Sequence, residues 1–135
     1  MLPEDSEAGG PADWLRYARS DLAYAKVPRP PGVLWESLCF HAQQAAEKAI
    51  KAVLVASSIA FPRTHNLETL VELLPHELPT PIEPLKAVGL SHYAAVTRYP
   101  GEFESIGEAE YIEAITLASA VVAWAEATIT GASHY

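Results

Sequence analysis

The stretch Cys39-Phe-His-Ala-Gln-Gln-Ala-Ala-Glu-Lys-Ala-Ile-Lys-Ala52 decides the fold. It holds no glycine or proline, and its alanines alternate with the straight-chain residues that lose least freedom in a helix. At about 100° per residue, Leu38, His41, Ala42, Ala45, Ala49, Ala52 and Ala56 fall within an arc of roughly 100°. Glu36, Gln43, Gln44, Glu47 and Lys51 fall opposite. The spacing predicts one long helix from about Val33 to Ser58. Its alanine face lets neighbouring axes approach to the short end of the ~8–10 Å range, which makes it the centre of a bundle.

Working toward the N-terminus, Val27-Pro-Arg-Pro-Pro-Gly32 breaks the chain, because proline removes donors and restricts its neighbours. Before the break, Trp14, Leu15, Ala18, Leu22 and Ala25 share one helical face, with Asp13 as the expected N-cap and an end near Lys26. Residues 1 to about 11 are acidic and rich in Gly and Pro, and read as a lead-in to a single domain over residues 12–130.

Toward the C-terminus, Asn66 is placed to cap a short helix carrying Leu67, Leu70, Val71 and Leu74. Four prolines between 75 and 84 interrupt it. Thr80 to Glu83 has the spacing of a capping box, opening a helix to Thr97 with Leu85, Val88, Ala95 and Val96 expected inward. Ser105 and Glu108 stand in the same register before a last helix to about Thr130. Its expected buried stripe is Tyr111, Ala114, Ile115, Ala118, Val121, Val122, Ala125 and Ile129. No segment has convincing strand periodicity, so the expected fold is an all-α, up-and-down bundle of four or five helices.

Composition narrows the chemistry. Nine Lys plus Arg against 17 Asp plus Glu give a net charge of −8, which argues against non-specific adhesion to nucleic acid but leaves room for a local basic patch. Cys39 is the single cysteine, which rules out an internal disulfide and a CxxC site. The five histidines, His41, His65, His76, His92 and His134, form neither HxxxH nor HExxH, so no metal site and no cofactor are expected. The opening residues lack the pattern of a secretory signal, and no uninterrupted apolar run approaches ~18 residues; both point to a cytoplasmic protein.

Three segments in this order and spacing, the Cys39–Ala52 block, Thr64-His-Asn-Leu67 and Arg98-Tyr-Pro100, resemble the HEPN family, the nucleotide-binding helical domain named for higher eukaryotes and prokaryotes. Ala18-Arg-Ser-Asp-Leu22 agrees with it as well. The resemblance implies a bundle of four or five helices, frequent homodimers, and a site formed between helices or across the dimer. It also implies, for many members, a minimal nucleotidyltransferase partner in a pair that behaves like toxin and antitoxin. Other members are metal-independent ribonucleases marked by an Arg and a later His with four to six residues between them. Here positions 103 to 105 after Arg98 are Phe, Glu and Ser, and no other arginine has a histidine at that separation.

The candidate nucleotide or RNA contacts are His41, Lys48, Arg63, His65, Arg98 and Tyr99. His41, at the border of the alanine face, suits contact with a phosphate or base, or a bond to a neighbouring carbonyl. Lys48 and Lys51, with Arg63 and Arg98, form an anion site if the two loops fold back to the central helix; otherwise the lysines pair with Glu36 and Glu47. Thr64, His65 and Asn66 serve as a helix start, or as an anion site at its free N–H groups. Tyr99 is suited to stack on a base while Arg98 holds its phosphate, or Arg98 pairs with Glu102 or Glu104. Tyr17 and Tyr24, and Leu117 and Trp124, each seven apart on second faces of their helices, are the candidate dimer contacts. The leading expectation is a nucleotide- or RNA-binding partner of a minimal nucleotidyltransferase. The alternatives are a metal-independent endoribonuclease using His41 or His65 with Arg98, and a purely structural interaction module. No catalytic residue is assigned from the sequence.

Overall fold

The computed structural model describes residues 9–131; His134 and residues 1–8 lie outside it. Within that span there are five helices and no strands: α1 (Pro11–Ala25), α2 (Trp35–Ala56), α3 (Leu67–Glu72), α4 (Pro84–Val96) and α5 (Glu108–Thr130). The long helix α2 packs against each of the other four. The stripe alanines at 42, 45, 49 and 52 are fully buried as predicted, and so is Ala46 outside the stripe, whereas Ala56, at the last position of the helix, is exposed.

Side-chain pairs fix the direction of α1 against α2. Lys51 lies over the ring of Trp14, Lys48 over Tyr17, and His41 stacks on Tyr24. The α2 number falls as the α1 number rises, so the two helices are antiparallel. Arg19 pairs with Glu126, and the Tyr111 hydroxyl donates to the Ala25 carbonyl at 2.6 Å, so α5 also runs against α1. The α5 stripe buries Ala114, Ala118, Val121, Val122 and Ala125, with Tyr111, Ile115 and Ile129 partly covered. Among the described residues α5 alone has the length and apolar composition of a membrane-crossing helix, since averaging over a window passes across its few charges. Its stripe is taken up by α2 and α1.

Several helix starts differ from the sequence expectation, each for a local reason. Gly10, not Asp13, is the N-cap of α1, because Pro11 already suits the first helical position. Asp13 instead accepts the Gly9 N–H at 2.9 Å and pairs with Arg16, and these bonds lower its carboxyl pKa. Thr80 caps nothing: α4 starts at Pro84 with Glu83 as N-cap, where the missing proline N–H is not needed. The α5 start lies two residues later than expected, with Glu110 accepting the Gly107 N–H at 2.9 Å.

On α4 the inward residues are Ala87, Leu90, Ala94 and Val96, while Leu85 is 86% and Val88 is 48% exposed. The face that meets α2 and α3 is chosen by small residues that permit close approach, and this turns the two larger apolar residues outward. At the end of α2, Ser58 adopts a left-handed φ of 59° and the Ile59 N–H closes back on the Leu54 carbonyl at 2.9 Å. A side chain there costs about 1–2 kcal/mol, which glycine avoids. Ser58→Gly is expected to raise stability by about 1 kcal/mol in urea unfolding, after the entropic cost of glycine is subtracted.

Candidate functional site: a polar seam on the central helix

Helical periodicity puts Gln43, Glu47 and Lys51 on the polar face of α2, yet all three are buried, Gln43 completely and Glu47 to 3% exposure. This corrects the expectation of a solvated face. Their partners come from one turn along the helix and from the loop that follows it. Glu47 Oε1 accepts from Gln43 Nε2 at 2.9 Å, from His65 Nδ1 at 2.9 Å and from Gln44 Nε2 at 3.3 Å; Oε2 accepts from Lys51 Nζ at 2.8 Å. Gln43 also donates to the His65 carbonyl at 3.2 Å. Burial pushes the Glu47 carboxyl pKa up, but the hydrogen bonds from Lys51, Gln43 and His65 outweigh it and hold the pKa below its ordinary value. Lys51 is further enclosed by the rings of Trp14 and Phe61.

His65 therefore ties residues 57–66 to the middle of α2. Because a carboxylate only accepts, its Nδ1 carries the hydrogen of this bond, on a ring that is 44% exposed. Beyond His65, the free N–H groups expected of α3 are already used. Leu67 donates to Ser91 Oγ, and Glu68 and Thr69 donate to Asn66 Oδ1. The capping role of Asn66 holds, and no donor of that turn remains for an anion.

A second cluster lies on the side of α2 that faces α1. Asp21 accepts from His41 Nδ1 at 3.1 Å and from Lys48 Nζ at 2.6 Å. His41 thus bonds a carboxylate rather than a backbone carbonyl, and Lys48 pairs across to α1 rather than with Glu36 or Glu47. Tyr24 stacks on the His41 ring at 4.4 Å, and Tyr17 lies near Lys48. Both tyrosines are more than half exposed, so on the described surface they border the cation and the imidazole. Beside them is a cleft of about 310 Å³ lined by Gly9, Asp13, Trp14, Tyr17 and Lys48. Gln44, between the two clusters, is one turn before Lys48 and bonds Gln43 Oε1 at 2.7 Å, so the seam runs continuously from His65 to His41.

The remaining predicted residues do not converge there. Arg63 and Arg98 are exposed and form no ion pair among the described residues, with Glu102 and Glu104 included. The Arg98–Tyr99 loop lies against the first turn of α2, where Tyr99 and Phe103 line a cleft with Leu34, Glu36 and Ser37. Ten residues of α2, roughly 15 Å of axis, separate Ser37 from Glu47, so the two basic loops do not share one spot within the chain. Of the dimer candidates, Leu117 and Trp124 are partly buried against the core of this same chain. Asp21 and Gln44 carry the seam with no motif signal of their own: Asp21 lies inside Ala18–Leu22, one turn before Tyr24 on α1, and Gln44 reads as part of the polar face of α2.

Comparison with known proteins agrees with this architecture. The HEPN domain family matches residues 11–128. The chain belongs to the HEPN family. Among solved structures, the HEPN chain is similar to TT1696 from Thermus thermophilus, with 29% identity and a TM-score of 0.75, covering 87% of this chain and 97% of that one. It is also similar to ST0689, an archaeal HEPN homologue, with 28% identity and a TM-score of 0.67 over 89% and 98% of the two chains. No curated protein matches it.

Glu47→Gln leaves the buried Lys51 without a counter-charge and is expected to cost about 3–5 kcal/mol in urea unfolding. The depressed carboxyl pKa sets the pH dependence. Its contribution to wild-type stability is complete above the ordinary value of 4.5 and is lost as pH falls through the folded-state value. In Glu47→Gln this part of the acid dependence should disappear.

Proposed function

We propose that this HEPN protein binds single-stranded RNA or a nucleotide along the α1–α2 seam, as the partner of a minimal nucleotidyltransferase in a pair of toxin–antitoxin type. The observation that carries the reading is the grouping of Lys48, His41 and two exposed tyrosines around Asp21. Aromatic rings accept any base by stacking, while a cation beside them meets the phosphate. On a chain of net charge −8, such a site works through local geometry rather than overall attraction. Asp21 orients the Lys48 ammonium and the His41 ring and yields Lys48 when a phosphate competes for it.

Stacking is worth roughly 1–3 kcal/mol per base, so Tyr24→Ala should weaken binding of a fluorescent oligouridylate by about tenfold. Lys48→Ala should weaken it too, and should lower the slope of log affinity against log salt by about 0.7. Anisotropy at several salt concentrations measures both. Wild-type affinity in both variants would leave the seam without a role in binding. For the partner, affinity-tagged protein is expected to recover a small nucleotidyltransferase when the two are co-expressed.

One observation favours a second reading, a metal-independent endoribonuclease. Both His41 and His65 have a ring nitrogen fixed by a carboxylate, the arrangement of a general base. The chain lacks an arginine and a later histidine with four to six residues between them, which places binding first. RNA that stays intact over long incubation, with or without EDTA, removes the second reading.

A further inference from the structure

We infer that the cleft between the first turn of α2 and the 97–105 loop is a base-selective pocket for guanine. The proposal rests on the nucleotide-binding reading for the class of ligand, and it assigns the selectivity. The cleft measures about 290 Å³, just below the ~300–1,000 Å³ range of small-molecule sites. Two aromatic residues line it, Tyr99 at 51% and Phe103 at 38% exposure. Phe103 is braced by His92, edge-on at 4.7 Å and 85°. Tyr99 opens a tight turn in which its carbonyl accepts the Glu102 N–H at 3.2 Å, and Gly101 takes the φ of 86° that the turn requires. Two rings are thus presented to the cleft from a short, constrained loop.

The polar member that chooses the base is Glu36. Its Oε2 accepts the Ile106 N–H at 3.2 Å, which ties it to the start of α5, and Oε1 meets no donor among the described residues. A carboxylate in a cleft repels phosphate and accepts from N–H groups. Guanine offers N1–H and N2–H side by side on its Watson–Crick edge. Adenine and cytosine place an acceptor beside their amine, and uracil has one N–H between two carbonyls. A single carboxylate therefore favours guanine over all three. Ser37, also lining the cleft, lies one turn before His41 on the same side of α2. A strand stacked on Tyr24 thereby reaches the cleft with its next bases.

Nucleosides test the pocket without the phosphate that the seam requires. Guanosine added to the intact protein is expected to shift amide resonances of the 97–105 loop, and adenosine, cytidine and uridine to do so at least about tenfold more weakly. Glu36→Gln keeps an acceptor for Ile106 and should abolish the preference. Tyr99→Ala, on an exposed loop, should weaken guanosine binding about tenfold with the melting temperature unchanged. Equal response to the four nucleosides, no response to guanosine, or a preference that survives Glu36→Gln overturns the proposal. Oligouridylate titrated in parallel reports on the seam: its loss with guanosine binding intact would remove the seam reading alone, and the reverse would remove only the pocket.

Discussion

Burying the Glu47 carboxylate inside an alanine-lined bundle is the constraint on which the rest of the molecule depends. Taking an ion out of water costs several kcal/mol after relaxation, and a single counter-charge seldom offsets it. Four side-chain donors converge on this one group: Lys51 on one oxygen, and His65, Gln43 and Gln44 on the other. Three of these donors come from α2 itself. The fourth must be brought in by folding the 57–66 loop back along the helix. The path of that loop is therefore set by electrostatic satisfaction as much as by its apolar contacts through Phe61.

Small side chains make this arrangement geometrically possible. Ala45 and Ala52 are fully buried and fall toward the α1 side of α2, with Ala18 and Ala25 fully buried on α1. Close axes bring the long flanking side chains into register, so Trp14, Tyr17 and Tyr24 each meet a cationic or imidazole group of α2. With bulkier residues in the stripe, Asp21 would stand too far away to bond His41 and Lys48 together. The seam is thus a by-product of tight packing that has acquired chemistry, since packing leaves its outer edge lined with rings and charges.

The sequence made the helices legible because periodicity records which residues face inward when the inward face is apolar. Each of the five predicted helices is present, and the α1, α3 and α5 stripes lie where spacing puts them. Periodicity failed where a polar residue faces inward. Gln43, Glu47 and Lys51 read as solvated because the histidine that satisfies Glu47 lies 18 residues away in sequence. It failed again at Leu85 and Val88, where residue size suggested burial and close approach selected Ala87 and Ala94 instead. Of the candidate site residues, His41, Lys48 and His65 were found and their partners were not, since which carboxylate meets which cation is decided by tertiary contact.

A chain with a net charge of −8 has to hold any anion site against its own field. Screening settles much of that conflict, because charges more than about 8–10 Å away are largely masked at ordinary ionic strength. What matters is the local inventory. Around the seam, Glu47 is saturated with donors and Asp21 is spent on two, so each carboxylate strengthens the order of its neighbours while projecting little free negative charge. The more exposed acids, such as Glu113 beside Lys86 and Glu126 beside Arg19, lie on α5. The two carboxylates of the seam are thereby neutralised by their own donors, and an anion approaching Tyr17 and Tyr24 meets Lys48 and His41 there rather than an unpaired carboxylate.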